Sequence, residues 1–332
     1  MGGGYKKIMP LLSRLWSPTP TSSLPSGASS TFSIATWNCL ADGLTRDFTH
    51  APPDLLAWPS RAPQILDELT SLDADVLCLQ EINRVESLAP LNLTHALLFA
   101  PKLRSPALEF GAPGCGTALL VRRARFDVVD VETVYFKADA STLSNQNAIV
   151  TILRDKLSAD GRLIVVASTH LKAGEGEENS SLRVFQVEQL VAHARGARMR
   201  AEGAEGTAPV PIFIAGDFNT RPGEAPYASL LTTLPGTASA FNVLHRPELG
   251  VEGVGGYADG EPVWTTFKFR GHEGAAGGKE KRACIDYIFF SAGAALVGVR
   301  ALPTAEQAGA LGLPNASFPS DHVPLAALFA WQ

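Results

Sequence analysis

Six short segments of this chain each run from apolar residues into side chains able to do chemistry. They are Thr36-Trp37-Asn38, Leu79-Gln80-Glu81, Ser168-Thr169-His170, Gly216-Asp217-Phe218-Asn219, Ile285-Asp286-Tyr287 and Ser320-Asp321-His322. Oxygen-rich sets of Asn, Asp and Glu select hard divalent cations, and Mg2+ or Mn2+ is held by one or two carboxylates completed by water and substrate phosphate. Glu81, with Asn38 beside it, is the expected metal-holding pair. No cluster of histidine and cysteine has zinc spacing, which argues against a zinc enzyme. These groups suit metal-assisted hydrolysis of a phosphate ester, which needs an aligned nucleophile and compensation of charge on the phosphoryl oxygens. Asp217 can orient or deprotonate the attacking water, and Asn219 can hydrogen-bond a phosphate oxygen. His170 and His322 can donate to developing negative charge, with either Asp321 or Asp286 fixing an imidazole tautomer.

Such groups must be gathered by strands that end at one rim. A run such as Ile212-Phe213-Ile214-Ala215 needs no acid in order to fold, because buried strands read as near-continuous apolar stretches. Ending several of them in carboxylates is costly unless the charges are used, since unpaired buried charge is strongly destabilising. Apolar runs and their punctuation predict strands over residues 32–38, 76–80, 117–121, 148–153, 163–170, 211–218, 284–290 and 323–329. Helices are expected over 60–72 and 181–199. In the second, Leu182, Phe185, Gln189, Leu190 and Ala194 follow helical spacing, and residues 196–209 read as a frayed end and loop. The glycine-rich stretch 271–278 lacks the Gly-Lys-Ser/Thr ending of a phosphate-binding loop. Two packed, mainly antiparallel sheets flanked by helices, a four-layer α/β sandwich, accommodate this pattern.

The order and company of the motifs carry more weight than any one of them. Asn38, Gln80-Glu81, His170, Gly216-Asp217-Phe218-Asn219 and Ser320-Asp321-His322 resemble the markers of the endonuclease/exonuclease/phosphatase superfamily, in that family's order. Trp37-Asn38-Cys39-Leu40-Ala41, Leu77-Cys78-Leu79-Gln80-Glu81 and Asp286-Tyr287-Ile288 are similar to its deadenylase-related branch. Three further stretches resemble its nocturnin-like members: Thr169 to Ala173, Thr265 to Arg270, and Leu313 to His322. The resemblance covers about residues 31–330 and implies the same four-layer fold. It would make Glu81 the metal ligand and place Asn38, His170, Asp217, Asn219, Asp286 and His322 around the scissile phosphate. It would add Lys102, Lys172 and Arg270 as substrate-binding cations, in keeping with the preference of phosphate for Arg forks and Lys point charges. The expected activity is Mg2+-dependent removal of a phosphate from an adenine nucleotide, with the 2′-phosphate of NADP(H) preferred. The alternative is a 3′ exoribonuclease shortening poly(A) RNA, and a minor one is an inactive binding protein. One position departs from the pattern: Gly174 stands where the nocturnin-like motif has arginine after His-Leu-Lys-Ala. Arg183, in the following helix, is the candidate to supply part of that charge.

Composition agrees with an enzyme rather than a nucleic-acid scaffold. Of 332 residues, 45% are hydrophobic, enough for a large core, and mean hydropathy is +0.08. A net charge of −5 and a pI near 5.8 argue against a broad nucleic-acid-binding face. No apolar run reaches the ~18 residues of a membrane span. Cys39, Cys78, Cys115 and Cys284 are far apart in sequence and form no CxxC pair, which suits reduced, buried thiols in an intracellular compartment. Residues 1–30 carry Lys6, Lys7 and Arg14, no acid, and many Ser, Pro and Gly, the composition of a disordered tail or of a mitochondrial or plastid transit peptide. Residues 31–332 are expected to form one catalytic domain. No repeat or assembly module is visible, so a monomer is expected.

Overall fold

A computed structural model describes residues 16–18, 31–205, 209–243, 257–258, 260–270 and 279–332. In chain order its strands begin with β1 (Trp16–Pro18), β2 (Thr31–Asn38), β3 (Val76–Ile82), β4 (His95–Pro101), β5 (Gly116–Arg122) and β6 (Phe126–Lys137). Next come β7 (Leu143–Asp155), β8 (Leu163–His170), β9 (Ile212–Asp217), β10 (Ala238–Ser239), β11 (Tyr257–Ala258) and β12 (Glu261–Pro262). The series closes with β13 (Thr266–Arg270), β14 (Lys279–Ala283), β15 (Asp286–Phe290), β16 (Ala294–Arg300) and β17 (Leu325–Trp331). One sheet has the order β1-β16-β17-β2-β3-β5-β4 and the other β10-β15-β9-β8-β7-β6. Each is antiparallel except for one parallel pair, β2 with β3 and β8 with β9.

The sheets pack face to face because each strand turns alternate apolar residues to its two sides. Phe32, Ile34, Val76 and Leu119 of the first sheet meet Ile149, Val166, Phe213 and Ile288 of the second. The opposite face of the first sheet, with Ala35, Trp37, Leu77 and Leu79, is covered by Ile65, Leu69 and Leu72 of helix α1 (Trp58–Leu72). The outer face of the second sheet, with Val150, Val165 and Ile212, is covered by Val187, Leu190 and Val191 of helix α2 (Glu177–Glu205). Leu230 of helix α3 (Ala225–Thr233) joins that core. The result is the expected four-layer α/β sandwich.

The predicted strands all form, with ends shifted by a few residues. Helix α2 differs more, since it runs without a break through Gly196 and Gly203. Each glycine costs a helix about 1 kcal/mol, but Ala194, Ala197 and Ala201 continue the buried stripe and outweigh it. Strands β4, β6 and β16 were not expected from sequence, and β6 is a half-exposed sheet edge. Strand β6 alternates acids with valines, and both Val129 and Val131 remain exposed. Residues 271–278 and most of the first thirty lie outside the described residues.

Candidate active site

The two parallel pairs bring four strand ends together. Along β2, β8 and β9, Asn38, His170 and Asp217 each lie four residues beyond an inward core residue, Ile34, Val166 and Phe213. Asp286 lies two residues before inward Ile288 on β15. A period of two therefore turns all four polar side chains into the space between the sheets, at its rim. Asp217 is the register partner of His170 on one side and of Asp286 on the other. His322 enters just ahead of β17, whose Leu325 pairs with Thr36 beside the end of β2.

Asp217 is the hub. Its Oδ2 accepts from Asn38 Nδ2 at 3.0 Å and lies 3.6 Å from His170 Nε2 and 3.8 Å from His322 Nε2, while Oδ1 accepts from Asn219 N at 2.9 Å. Burial and the nearby Asp286 raise its pKa to about 6, against the pull of His322. Burial works against charge on His322, but Asp286 and Asp321 outweigh it and hold the imidazolium to about 9. Between the two carboxylates left open by sequence, the geometry selects Asp286 to set the tautomer: its Oδ2 is 2.9 Å from His322 Nδ1 and is itself held by Thr265 Oγ1 at 2.5 Å. Asp321 is engaged instead by the ammonium of Lys268. His170 is the opposite case, with burial and then Lys102 pushing its pKa well below 6.5, so it is neutral.

Glu81 reaches this group by a local break in the pairing of β3. Strict alternation would place it on the helix-covered face with Leu77 and Leu79. The register shifts between Leu79 and Ile82, Glu81 adopts φ +57, and its Oε1 comes within 3.2 Å of Asn38 Nδ2. Irregularities of this kind re-aim side chains at strand ends. Glu81 is half-buried, whereas Asp217, Asp286 and His322 are buried. Asp217, Asp286 and His322 also form a three-residue cluster with ligand atoms within 4.8 Å of one another. His322 Nδ1 is committed to Asp286, however, so that trio is better suited to proton placement than to ligation. Asn38, expected as a second ligand, turns its Nδ2 to Glu81 and Asp217 and its Oδ1 to Leu40 N, so the hard oxygens that fit a divalent cation here are those of Glu81 with Asp217 adjoining. Beside them, the carboxylates of Asp217, Asp286 and Asp321 face His322, and Asp321 also faces Lys268.

Two sheet-end loops, after β2 and before β17, are braced from below. Arg61 of α1 is fully buried and donates to the carbonyls of Cys39 (2.8 Å), Leu40 (2.5 Å) and Pro319 (2.6 Å). Burial lowers its own pKa to about 10. Ser320 Oγ donates to Asn38 O at 2.6 Å and Trp37 Nε1 to His322 O at 2.9 Å, tying the same loops. Gly216 is required by close approach, because a Cβ there would lie 2.0 Å from Thr169 O.

Of the expected substrate cations, Lys102 is half-buried and near enough to His170 to depress it, and Lys172 is half-buried on the loop after β8. Arg270 closes β13, but its side chain lies outside the described residues. Asn219 adopts φ +50, and its Nδ2 donates to Leu171 O at 3.2 Å. Lys268, Thr265 and Arg61 were not singled out by sequence. Lys268 had a signal, a cation set between two phenylalanines in Thr-Phe-Lys-Phe. Arg183 is buried and donates to the carbonyls of Lys172 (3.0 Å) and Gly174 (2.8 Å), so it builds the loop that follows β8. Gly174 sits at φ +106, where an L side chain is strained.

A two-sheet sandwich with carboxylates, an amide and imidazoles at one rim defines a phosphoesterase architecture. The model of the Endonuclease/Exonuclease/phosphatase family matches residues 35–322, and the chain belongs to this family, whose members act on phosphate esters. It is 32% identical to rat nocturnin over 311 residues, which is 90% of this chain and 65% of that protein, so it spans somewhat under two thirds of that relative. The solved human nocturnin catalytic domain with bound sulfate superposes with a TM-score of 0.71 at 26% identity, covering 97% of this chain and 99% of that one. ANGEL2, described as a 2′,3′-cyclic phosphatase in complex with adenosine-2′,3′-vanadate, shares the fold with a TM-score of 0.70 at 23% identity, covering 96% and 98%. Among the described residues, no helix is long and apolar enough to cross a membrane.

Proposed function

We propose that this chain is a Mg2+-dependent phosphomonoesterase of adenine nucleotides whose preferred substrate is the 2′-phosphate of NADP(H). The observation that carries the reading is Asp217, a buried carboxylate with a pKa near 6, facing an imidazolium held to about 9 by Asp286. Ionised above pH 6, Asp217 takes a proton from water and aligns it for attack on phosphorus. His322, still protonated, gives its Nε2 proton to the departing 2′-oxygen as the P–O bond breaks, so that the ribose leaves as the alcohol while the proton taken from water rests on Asp217. Neutral His170 and the free Nδ2 proton of Asn219 supply further donors, and Lys102, Lys172 and Arg270 bind the rest of the nucleotide. Glu81, beside Asn38, would hold a divalent cation, which would supply Lewis-acid stabilisation of phosphoryl charge.

Sequence similarity to nocturnin and the sulfate in the human nocturnin structure, a tetrahedral anion shaped like phosphate, support this reading. The chain's net charge of −5 favours a small nucleotide over a long polyanion. The test is inorganic phosphate release from NADPH with Mg2+, repeated after chelation and with Glu81→Ala. Loss of release in both, with folding retained, is expected. A Glu81→Ala protein that keeps more than a few per cent of wild-type turnover refutes the metal role.

A further inference from the structure

On the side of β8 away from Asp286, the space between the sheets turns polar just below the rim. Asn147 of β7 lies two residues before inward Ile149, and Thr117 of β5 lies two before inward Leu119. The register pairs Ala148 with Thr169, so Asn147 and His170 stand one step further on, facing each other across neighbouring strands. Thr117 is the register partner of Ala100 on β4. Asn147 reaches across to that pair from the other sheet, its Nδ2 donating to Ala100 O at 3.1 Å and to Pro101 O at 2.9 Å.

Three atoms around this bridge have no hydrogen-bond partner within the protein: Asn147 Oδ1, Thr117 Oγ1 and His170 Nδ1. Their residues are 1%, 0% and 4% exposed. Buried polar atoms that no direct bond reaches are met by ordered water, which makes about three bonds. The three atoms are complementary. Both hydrogens of the Asn147 amide go to carbonyls, so its Oδ1 can only accept. A hydrogen on His170 Nδ1 would aim at that facing oxygen, yet the two make no hydrogen bond. Two acceptors and a hydroxyl fit one water, which donates to Asn147 Oδ1 and His170 Nδ1 and accepts from Thr117 Oγ1.

We propose that Asn147 and Thr117 hold a buried water against His170 Nδ1 and thereby act as positioning residues for that imidazole. With Nδ1 accepting, the ring hydrogen stays on Nε2, the nitrogen 3.6 Å from Asp217 Oδ2. The two imidazoles of the site are thus set in different ways. Asp286 holds His322 through a carboxylate, which favours a charged ring. Water is neutral, so it fixes the tautomer of His170 without drawing charge onto it. The use made of the Nε2 hydrogen rests on the phosphoesterase reading; the water and the tautomer do not.

The test reads the imidazole 15N shifts of protein carrying 15N-labelled histidine, with His170→Gln identifying the signals of His170. A crystal structure of the wild type is examined for the water. Wild type is expected to hold the Nε2–H tautomer, with an ordered water about 2.7–3.2 Å from both His170 Nδ1 and Asn147 Oδ1. Thr117→Val, nearly isosteric, removes the hydroxyl; its His170 signals should show mixed tautomers. Its kcat for phosphate release from NADPH should fall roughly three- to tenfold with KM within about twofold, and Thr117→Ser should restore both. An Nδ1–H tautomer in wild type, or direct contact of Nδ1 with Oδ1, overturns the proposal. A fall in kcat with the tautomer unchanged makes Thr117 a packing residue and overturns its part as well. No phosphate release by wild type sinks the phosphatase reading alone, because the shifts and the water decide the site without substrate.

Discussion

Replacing Asp286 by asparagine should move both limbs of the pH–rate profile toward acid. Asparagine keeps an oxygen for His322 Nδ1 and a partner for Thr265 Oγ1, so the ring stays in place while one negative charge is lost. His322 is raised to about 9 against burial, chiefly by Asp286 and then by Asp321. Losing one adjacent carboxylate lowers such a pKa by roughly 2 units, within the usual 1–3. The imidazolium is then lost at a lower pH, and the alkaline limb falls to about 7. Asp286 also raises Asp217, which is held near 6, so the acid limb moves down by roughly 1 unit. Both shifts have the same sign because one carboxylate opposes loss of a proton from both neighbours. At pH 8 the variant should lose about tenfold beyond any uniform effect, whereas at pH 6 it should lose nothing further. The assay is kcat/KM for phosphate release across pH 5 to 10, each profile normalised to its own maximum at one saturating Mg2+ concentration, so that the pull of the cation cancels. An alkaline limb still near 9 in Asp286→Asn refutes the argument that Asp286 sets the charge on His322.

Asp217→Asn should lower kcat by roughly 10²–10⁴-fold with little change in KM, as for loss of a positioned general base; a kcat within threefold of wild type in steady-state assays moves that role elsewhere. Arg61→Met should cost about 3 kcal/mol or more by stranding three buried carbonyls, read as a fall of roughly 5–10 °C in Tm; a fall under 2 °C contradicts the bracing role. Glu261 is buried and accepts from Tyr227 Oη at 2.8 Å, and burial raises its pKa from 4.5 to about 7. Its raised pKa means stability is fully present below pH ~4.5 and declines as pH rises through about 7. Glu261→Gln should therefore flatten that decline and gain about 1–3 kcal/mol at pH 8 in urea unfolding; parallel pH dependences for the two proteins count against it.

Much of the site was legible because catalytic groups replaced apolar ones at fixed parity. Asn38, His170 and Asp217 keep step with Ile34, Val166 and Phe213, so alternation alone turns them inward once the strands are identified. Glu81 breaks that rule. Its motif identified it, but parity places it on the wrong face, and only the register shift and positive φ in β3 explain its arrival. Arg61 was invisible for another reason, since it sits in the first turns of an amphipathic helix where arginine is ordinary. Its role comes from the two loops above it, a tertiary fact. The choice between Asp286 and Asp321 as partner to His322 was equally beyond the sequence, because it depends on Lys268 taking the second carboxylate. The edge strand β6 was missed because a half-exposed edge need not be apolar.

The central claim is that water attacks a 2′-phosphate at Asp217. It is tested most directly by incubating the purified protein and Asp217→Asn with Mg2+, and either NADP(H) or oligo(A), and separating the products by chromatography. The account predicts inorganic phosphate and NAD(H) in equal amounts from wild type, at least about a hundredfold slower release from Asp217→Asn, and an intact oligonucleotide. AMP released from oligo(A) by wild type, with NADP(H) unchanged, contradicts it.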